Sequence, residues 1–106
     1  MVQFGVHRFN GAGSGVTPYL VVVQSSLFRE QPRRIAVPLI RRDRLLGPVD
    51  RVLNPQFIIE NTEVVLATLD LASFPLRAFG DHVTSLRGRS DDIQAALDLA
   101  LSRAWD

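Results

Sequence analysis

The sequence predicts a mainly β protein in which one C-terminal α-helix packs on a small, strongly bent antiparallel sheet or barrel. Short segments with period-two alternation, or with runs of β-branched residues, follow one another over residues 2–79 and are separated by turn-forming residues. Only residues 90–106 show the 3.6-residue apolar period of a long helix. We expect the 106 residues to form a single domain, residues 1–106.

The first half of the chain contains three predicted strands. Val2, Phe4 and Val6 alternate with polar or small residues, which is the period of a half-buried strand. The glycine-rich residues 10–18 form a hairpin connection rather than a phosphate loop, because a strand and not a helix follows them. The second and third strands cover residues 19–24 and 35–40. Pro38 predicts an edge or a bulge in the third strand, since proline cannot donate to a ladder.

The second half begins with residues interrupted by Gly47, Pro48 and Pro55, a pattern that predicts irregular structure or a short helical turn. A hairpin then turns about Asn61 and Thr62. The predicted elements in order are irregular structure (41–55), two paired strands (56–61 and 63–70), a turn (71–75), a short strand (76–79) and a connection to the helix (80–89).

The helical pattern has a well-marked start. Ser90 is a plausible N-cap, and Asp91 and Asp92 place negative charge in the first turn, where the helix dipole favours it. The polar positions 94, 98 and 102 lie opposite an apolar face, which comprises Ile93, Ala96, Leu97, Ala100, Leu101 and Ala104. Trp105 falls at the edge of that face, where it either closes the core or makes an exposed binding contact.

Composition excludes several classes of protein. The chain has no cysteine, so disulfides, thiol catalysis and cysteine-ligated zinc are absent. The N-terminal residues alternate in polarity and no stretch approaches the length of a membrane span, so we expect no signal peptide, no membrane association and a cytoplasmic location. A net charge of +1 gives no general attraction to polyanions.

The basic charge is nevertheless clustered. All twelve basic residues are arginine, and six of them lie within residues 29–44 beside only Glu30 and Asp43, so this segment carries a local charge of +4 (six minus two). Arginine pairs well with carboxylate and phosphate groups. The segment is therefore either a docking surface for an acidic peptide or nucleic acid, or a solvated rim.

No catalytic or metal-binding motif is present. His7 and His82 lie on separate elements without the spacing of a metal site, and no nucleophile elbow occurs. We therefore expect no cofactor and no metal. An enzyme that combines arginine with histidine or threonine, as in metal-free RNA cleavage, remains the alternative.

Leu27 and Phe28 are adjacent apolar residues in an otherwise polar segment, residues 25–34. Such a pair in a loop between strands either plugs the core or forms an exposed contact. The sequence pattern alone leaves both interpretations open.

At RRIAVPL (33–39) the chain resembles the CcdB family of toxin-antitoxin toxins. Further matches are VQSSLF (23–28), LL (45–46), TLDLASFP (68–75) and DDIQAALDL (91–99). The resemblance implies an SH3-like barrel, with a five-stranded antiparallel sheet, a smaller second sheet and a terminal helix. It also implies a homodimer that is not an enzyme, and that binds the DNA gyrase A subunit and traps the gyrase–DNA cleavage complex. A CcdA-type antitoxin would neutralise it, and no direct recognition of nucleic acid is implied.

Carried over by position, the resemblance places the gyrase contact on Leu27, Phe28, Asp98, Leu101 and Trp105. Asp98 replaces a familiar asparagine, and Leu101 replaces an aromatic residue. The family's terminal Trp-Gly-Ile falls on residues 102–104, which are Ser102, Arg103 and Ala104 here, so Trp105 comes three residues late. The resemblance therefore implies either a gyrase poison of altered affinity or a relative with weak or lost poisoning.

Antitoxins of the family offer acidic, apolar segments. The arginine-rich segment is the expected docking surface for them, and its candidate residues are Arg29, Arg33, Arg34, Arg41 and Arg42. Two alternatives remain open. The chain is a CcdB relative that still binds antitoxin but no longer poisons gyrase, or an mRNA-cleaving toxin of the MazF and Kid type, which shares the barrel.

Overall fold

A computed structural model describes residues 1–102. The strands are β1 (Gly5–Phe9), β2 (Tyr19–Val22), β3 (Arg33–Arg41), β4 (Gln56–Ile59), β5 (Thr62–Leu66), β6 (Ala72–Pro75) and β7 (Phe79–Ser85), and the helix is α1 (Ser90–Leu101). Single 3₁₀ turns connect them at Ser26–Phe28, Arg42–Arg44, Thr68–Asp70, Leu76–Ala78 and Arg87–Arg89. The predicted fold class, a mainly β protein with a strongly curled antiparallel sheet and one C-terminal helix, is confirmed.

Strand β3 is the centre of the sheet because its two halves have different partners. Its first half pairs with β6, from Arg33 opposite Pro75 to Ala36 opposite Ala72. Its second half pairs with β5, beginning with Leu39 opposite Leu66. All seven strands therefore belong to one sheet, in the order β4, β5, β3, β2, β1 and β7, with β6 paired to β3 beside this path. The smaller second sheet that the resemblance implied is not separate from it.

Pro38 lies inside β3 at the junction between these two pairings. It is opposite Leu20 of β2, and its carbonyl accepts a hydrogen bond from the Ala67 amide at 2.9 Å. A residue in a strand directs its amide and carbonyl to the same side, so the missing N–H falls on the side where β6 has ended and β5 begins. The sequence predicted an edge or bulge, and the structure shows an interior strand that changes partner at the proline.

The hairpin of β4 and β5 turns at Glu60 and Asn61, one residue earlier than predicted. Both residues have positive φ, 51° and 62°, which is the left-handed backbone of a type I′ turn. This turn matches the twist of the flanking strands, so a two-residue connection is sufficient. Its position places the Glu60 side chain beside β1 and β2, where it forms the contacts described below.

Several boundaries differ from the sequence prediction. Strand β1 begins at Gly5 and not at Val2, because the Gly5 amide donates to the Val2 carbonyl and Phe4 has a φ of 67°. Residues 71–75, predicted as a turn, pair as β6, and the predicted strand at 76–79 is mostly a 3₁₀ turn before β7. The predicted connection over residues 80–89 is also wrong, because most of β7 lies there and pairs with β1. Backbone partners on β3 stabilise β6 although its sequence lacks a strand period.

The core lies between the concave face of the sheet and α1. Ile93 and Ala96 of the helix are fully buried against sheet residues that include Val6, Val37 and Leu66. A second cluster comprises Leu20, Val22, Ala36 and Phe79. Burial at roughly 25 cal/mol per Å² of apolar surface makes these contacts the main source of stability.

Helix α1 begins at Ser90 and ends at Leu101. The predicted N-cap at Ser90 is wrong by one residue: Arg89 occupies that position without a side-chain cap, and its Nε donates instead to Asp92 at 2.6 Å. Ser102 has extended backbone, with φ −66° and ψ 154°, which ends the helix before residue 103. Among residues 1–102, no helix is long and apolar enough to cross a membrane.

Candidate functional site

Leu27 and Phe28 lie on the surface, on the 3₁₀ turn that follows β2. The side chain of Leu27 is 85% exposed and that of Phe28 is 56% exposed. Their interpretation as a plug for the core is therefore wrong. Two adjacent apolar residues exposed to this degree are the kind of feature that marks a contact with a partner.

Hydrogen bonds hold this turn in a fixed conformation. The Ser25 Oγ accepts from the Leu27 amide at 3.2 Å, and the Gln24 side chain donates to the Phe28 carbonyl at 2.9 Å. The same Gln24 side chain accepts from the Ile35 amide on β3 at 3.0 Å. The Gln3 amide donates to the Ser26 Oγ at 3.2 Å. Because the turn is tied to β3 and to the segment before β1, the exposed pair is presented with little conformational entropy left to lose on binding.

Asp98 and Leu101 lie on the last turns of α1 and both are exposed. They are three residues apart, so they are neighbours on one helix face. The Asp98 Oδ1 accepts a hydrogen bond from the Gln94 side chain at 3.2 Å. Leu101, predicted on the core face, is 65% exposed because the core contact of the helix is made earlier, at Ile93 and Ala96.

Trp105, the fifth predicted contact, lies outside the described residues. The sequence argument measured its position along a helix that continues to the C-terminus. Helix α1 as described ends at Leu101. The predicted contacts within residues 1–102 therefore lie on two elements: Leu27 and Phe28 on the turn after β2, and Asp98 and Leu101 on α1.

Arg34 cannot act as the antitoxin contact that the sequence predicts. Its side chain is only 6% exposed and donates to the backbone carbonyls of Arg29, Gln31 and Arg33. The guanidinium thus holds the loop before β3 together, and a partner cannot reach it in this conformation. The carbonyl oxygens accept from Nη1 and Nη2, whereas the buried Nε has no partner among residues 1–102.

The other four predicted arginines are exposed, but three already have partners. Arg33 donates to the Ser73 hydroxyl and carbonyl at 2.9 and 2.6 Å, and Arg41 forms an ion pair with Asp43 at 2.9 Å. Arg29 donates to the Ser26 carbonyl at 3.0 Å. Within residues 1–102, the side chain of Arg42 makes no hydrogen bond or ion pair. Of the predicted set, Arg42 is the residue whose charge is fully available.

His7 is placed unfavourably for acid–base chemistry. It is 7% exposed, its Nδ1 lies 3.1 Å from the Gly80 carbonyl, and its Nε2 is buried without a partner among residues 1–102. Burial lowers the pKa of His7 below the usual 6.5, and the nearby His82, whose ring centroid is 5.3 Å away, lowers it further. The hydrogen bond to Gly80 opposes this shift in part. Searched over residues 1–102, the chain shows no group of three or more potential metal ligands.

A charged cluster that sequence patterns do not reveal joins β1, β2 and the hairpin turn. The Arg8 guanidinium makes two hydrogen bonds to the Glu60 carboxylate, at 3.0 and 2.7 Å, and the Tyr19 hydroxyl donates to the same carboxylate at 2.5 Å. These bonds from Arg8 and Tyr19 lower the pKa of Glu60. Burial, together with the negative charge of Glu60, raises the pKa of Tyr19. The cluster connects segments that are distant in sequence.

Two solved structures share this arrangement of a curled sheet and one helix. One is titled an endoribonuclease in complex with its cognate antitoxin from Mycobacterial species; it is 21% identical, has a TM-score of 0.67, and the match covers 100% of this chain and 99% of that one. The other, an endoribonuclease from Mycobacterial species, is 18% identical with a TM-score of 0.66, covering 100% of this chain and 95% of that one. At these identities the likeness shows a common fold.

The family is shown by a separate comparison. The family described as CcdB protein matches residues 3–102, which is nearly the whole chain. The chain therefore belongs to the CcdB family, and it is a toxin of a toxin-antitoxin module.

Proposed function

We propose that this toxin acts by binding the A subunit of DNA gyrase and trapping the gyrase–DNA cleavage complex. The exposed pair Leu27 and Phe28 carries the proposal, because it is the part of the family's gyrase surface that this chain presents on a fixed turn. The action is binding rather than catalysis, so the toxin needs no cofactor and no metal.

The pair has the properties of an interface anchor. Large apolar side chains that are exposed in the free protein gain most from burial, at about 1.5–3 kcal/mol for a leucine or phenylalanine that becomes fully buried. The hydrogen bonds of Gln24 and Ser25 fix the backbone beneath them. Preorganisation of this kind converts more of the burial energy into affinity.

The C-terminal end of α1 supplies the second part of the proposed surface. Asp98 and Leu101 are both exposed and share one face, and Trp105 follows within four residues of Leu101. Tryptophan is the residue type most enriched among energetically dominant interface contacts. We therefore propose Trp105 as the tail's gyrase contact, with an affinity that differs from relatives whose tryptophan comes three residues earlier.

Two partners complete the proposal. A CcdA-type antitoxin neutralises the toxin through an acidic, apolar segment, and two toxin chains form a homodimer that presents two C-terminal ends. The family supports both, and a solved relative of the same fold is titled as a complex with its cognate antitoxin. The module acts in the cytoplasm, where gyrase and DNA are found.

A binding measurement tests the gyrase proposal. Wild-type toxin, titrated calorimetrically into the A subunit of its host's gyrase, is expected to bind. A variant with Leu27→Ala and Phe28→Ala is expected to bind about 30-fold or more weakly, since anchors of this type each contribute 1–2 kcal/mol or more. The matched control is Leu46→Ala, which removes an equally exposed leucine at another site and is expected to leave affinity unchanged. Absence of binding by the wild type contradicts the proposal.

An endoribonuclease remains the alternative, because both solved structures of similar fold are titled endoribonucleases. The buried position of His7 weighs against a mechanism in which that side chain moves a proton. Assays of RNA cleavage and of gyrase activity with the same purified toxin distinguish the two functions. Specific cleavage of RNA by the purified toxin, abolished by a single arginine or histidine substitution, supports the ribonuclease and contradicts the gyrase proposal if gyrase is unaffected.

A further inference from the structure

A polar hollow between the Arg42–Arg44 turn and the loop before β4 contains two arginines and no carboxylate. It has a volume of about 390 Å³ and is lined by Arg42, Val49, Arg51, Asn54 and Gln56. The two guanidinium groups belong to segments nine residues apart in sequence, and the fold of the connecting loop brings them to one hollow. A hollow with this lining carries a net positive charge.

Neither arginine is neutralised within residues 1–102. The side chains of Arg42 and Arg51 make no hydrogen bond or ion pair there. The nearest acidic residues in sequence are engaged elsewhere. Asp43 is paired with Arg41 at 2.9 Å, and the Asp50 Oδ1 accepts from the amides of Val52 and Leu53 at 2.9 and 2.8 Å. Two uncompensated guanidinium groups at one hollow form a site for an anionic group.

The wall of the hollow is fixed. The Asn54 Oδ1 accepts from the Asp50 amide at 3.2 Å, and its Nδ2 donates to the Leu66 carbonyl of β5 at 3.0 Å. The Thr68 hydroxyl donates to the Leu53 carbonyl at 2.5 Å. The loop that carries Arg51 is thereby attached to β5 and to the Thr68–Asp70 turn, and an anion bound there does not have to order it.

An apolar cleft of about 470 Å³ adjoins the hollow and shares Val49 and Asn54 with it. Most of its lining is aliphatic, and the principal residues are Ile40, Leu45, Pro48, Val49, Leu53 and Val65. Asp50 and Asp70 also line the cleft. The Asp50 carboxylate already accepts a hydrogen bond from the Val52 amide in its own turn. A single ligand that reaches both features therefore needs an apolar group and, next to it, a negative charge.

We propose that the cleft and the two-arginine hollow form one docking site for an acidic, apolar peptide segment of a protein partner. An aliphatic side chain occupies the cleft, and a neighbouring carboxylate lies between Arg42 and Arg51. Nucleic acid fits less well, because single strands bind through bases stacked on aromatic rings, and no aromatic residue lines either feature. This site gives a location for the antitoxin contact of the proposed function. The identification of the segment as part of the antitoxin rests on that proposed function.

The site is tested first with a synthetic probe. A short peptide in which leucine and glutamate alternate is titrated into the ¹⁵N-labelled full-length toxin. Its binding is expected to shift the amide signals of residues around 42, 49 and 51. Arg42→Gln and Arg51→Gln are each expected to weaken binding about fivefold to tenfold, as for loss of one partly exposed charged contact. Arg77→Gln is the control, since Arg77 is equally exposed and lies on the turn before β7.

Three outcomes overturn the proposal: the arginine variants bind the peptide as the wild type does, the same peptide with glutamine for glutamate binds equally well, or a single-stranded oligonucleotide shifts these signals with higher affinity. Gyrase inhibition by the two arginine variants is measured in parallel and is expected to equal that of the wild type. Loss of peptide binding with gyrase inhibition intact supports the docking site. A toxin that binds the peptide but never inhibits gyrase overturns the proposed function alone.

Discussion

The Arg8 guanidinium and the Glu60 carboxylate form a two-bonded ion pair across the curl of the sheet, at 3.0 and 2.7 Å. Strand β1, which carries Arg8, is separated from β4 in the order of the sheet by β5, β3 and β2. Glu60 follows β4 directly, at the hairpin turn. The contact therefore joins two strands that share no backbone hydrogen bonds, and it helps to keep the sheet curled over its core.

This contact predicts a dependence of stability on acid pH. Arg8 and Tyr19 lower the pKa of Glu60 below its usual 4.5, so its contribution is fully present above that pH and is lost as the pH falls through the lowered pKa. We expect Glu60→Gln to lower the Tm at pH 7 and to have a smaller effect at pH 3. Glu63→Gln, an exposed neighbour on β5, is the control. An equal effect of Glu60→Gln at both values of pH contradicts the assignment.

Substitution of the buried Tyr19 tests how much its hydrogen bond to Glu60 contributes to stability. The hydroxyl is a donor to Glu60, whereas the ring is 4% exposed and packs in the core. Tyr19→Phe keeps the ring and removes one hydrogen bond to a charged group, so we expect a loss of about 1–2 kcal/mol in the free energy of unfolding. Urea unfolding at pH 7 measures this. A variant as stable as the wild type shows that the hydroxyl contributes nothing.

His7 predicts a second, separate pH dependence. Burial lowers its pKa below 6.5, so the folded protein resists protonation that the unfolded chain accepts. Its contribution to stability is present above about pH 6.5 and is lost as the pH falls from there toward the lowered pKa. Urea midpoints between pH 7.5 and 5.5 are expected to fall less in His7→Phe than in the wild type. His82→Gln is expected to reduce the fall only in part, because burial is the main cause of the lowered pKa of His7 and His82 is a lesser one.

Substitutions in helix α1 test how much its buried face contributes to stability. Ile93 is fully buried between α1 and the sheet, so Ile93→Ala is expected to cost about 2–5 kcal/mol of unfolding free energy. Leu99 on the same helix is 48% exposed, and Leu99→Ala is expected to cost far less. Denaturant unfolding of both variants measures the difference. Equal losses contradict the packing of Ile93 described here.

Substitution of Trp105 tests in cells whether this residue contributes to toxicity. Induced expression of the wild type is expected to kill the host, and Trp105→Ala is expected to reduce killing strongly, since the loss of one interface tryptophan costs about 2 kcal/mol or more. Leu46→Ala serves as the control at the same level of soluble toxin. Undiminished killing by Trp105→Ala places the toxic contact elsewhere.

The sequence predicted the fold class and much of the core, because both follow from apolar periods. Ile93 and Ala96 are buried as the helical period predicts. It did not predict β6 and most of β7, whose stability depends on pairing with β3 and β1, or the burial of Arg34. Neither effect is visible locally. The sequence gives no reason to distinguish Arg34 from Arg42. In the fold, Arg34 is buried beneath a loop, whereas Arg42 lines an open hollow.

The candidate contacts were harder to predict for a related reason. Adjacent apolar residues such as Leu27 and Phe28 have the same pattern whether they point into the core or into solvent, and the fold decides between them. The presence of Arg42 and Arg51 at one hollow depends on the path of a loop without a regular period. Family resemblance located the first site, and three-dimensional placement alone located the second.

The most direct test of the proposed function is a DNA cleavage assay with purified toxin, the host's gyrase and supercoiled plasmid. The amount of linear DNA covalently bound to the A subunit is measured after denaturation. We predict that this amount increases with toxin concentration, and that the Leu27→Ala and Phe28→Ala variant fails to produce the increase. Supercoiling activity and cleaved DNA that remain unchanged at every concentration of wild-type toxin would contradict the account.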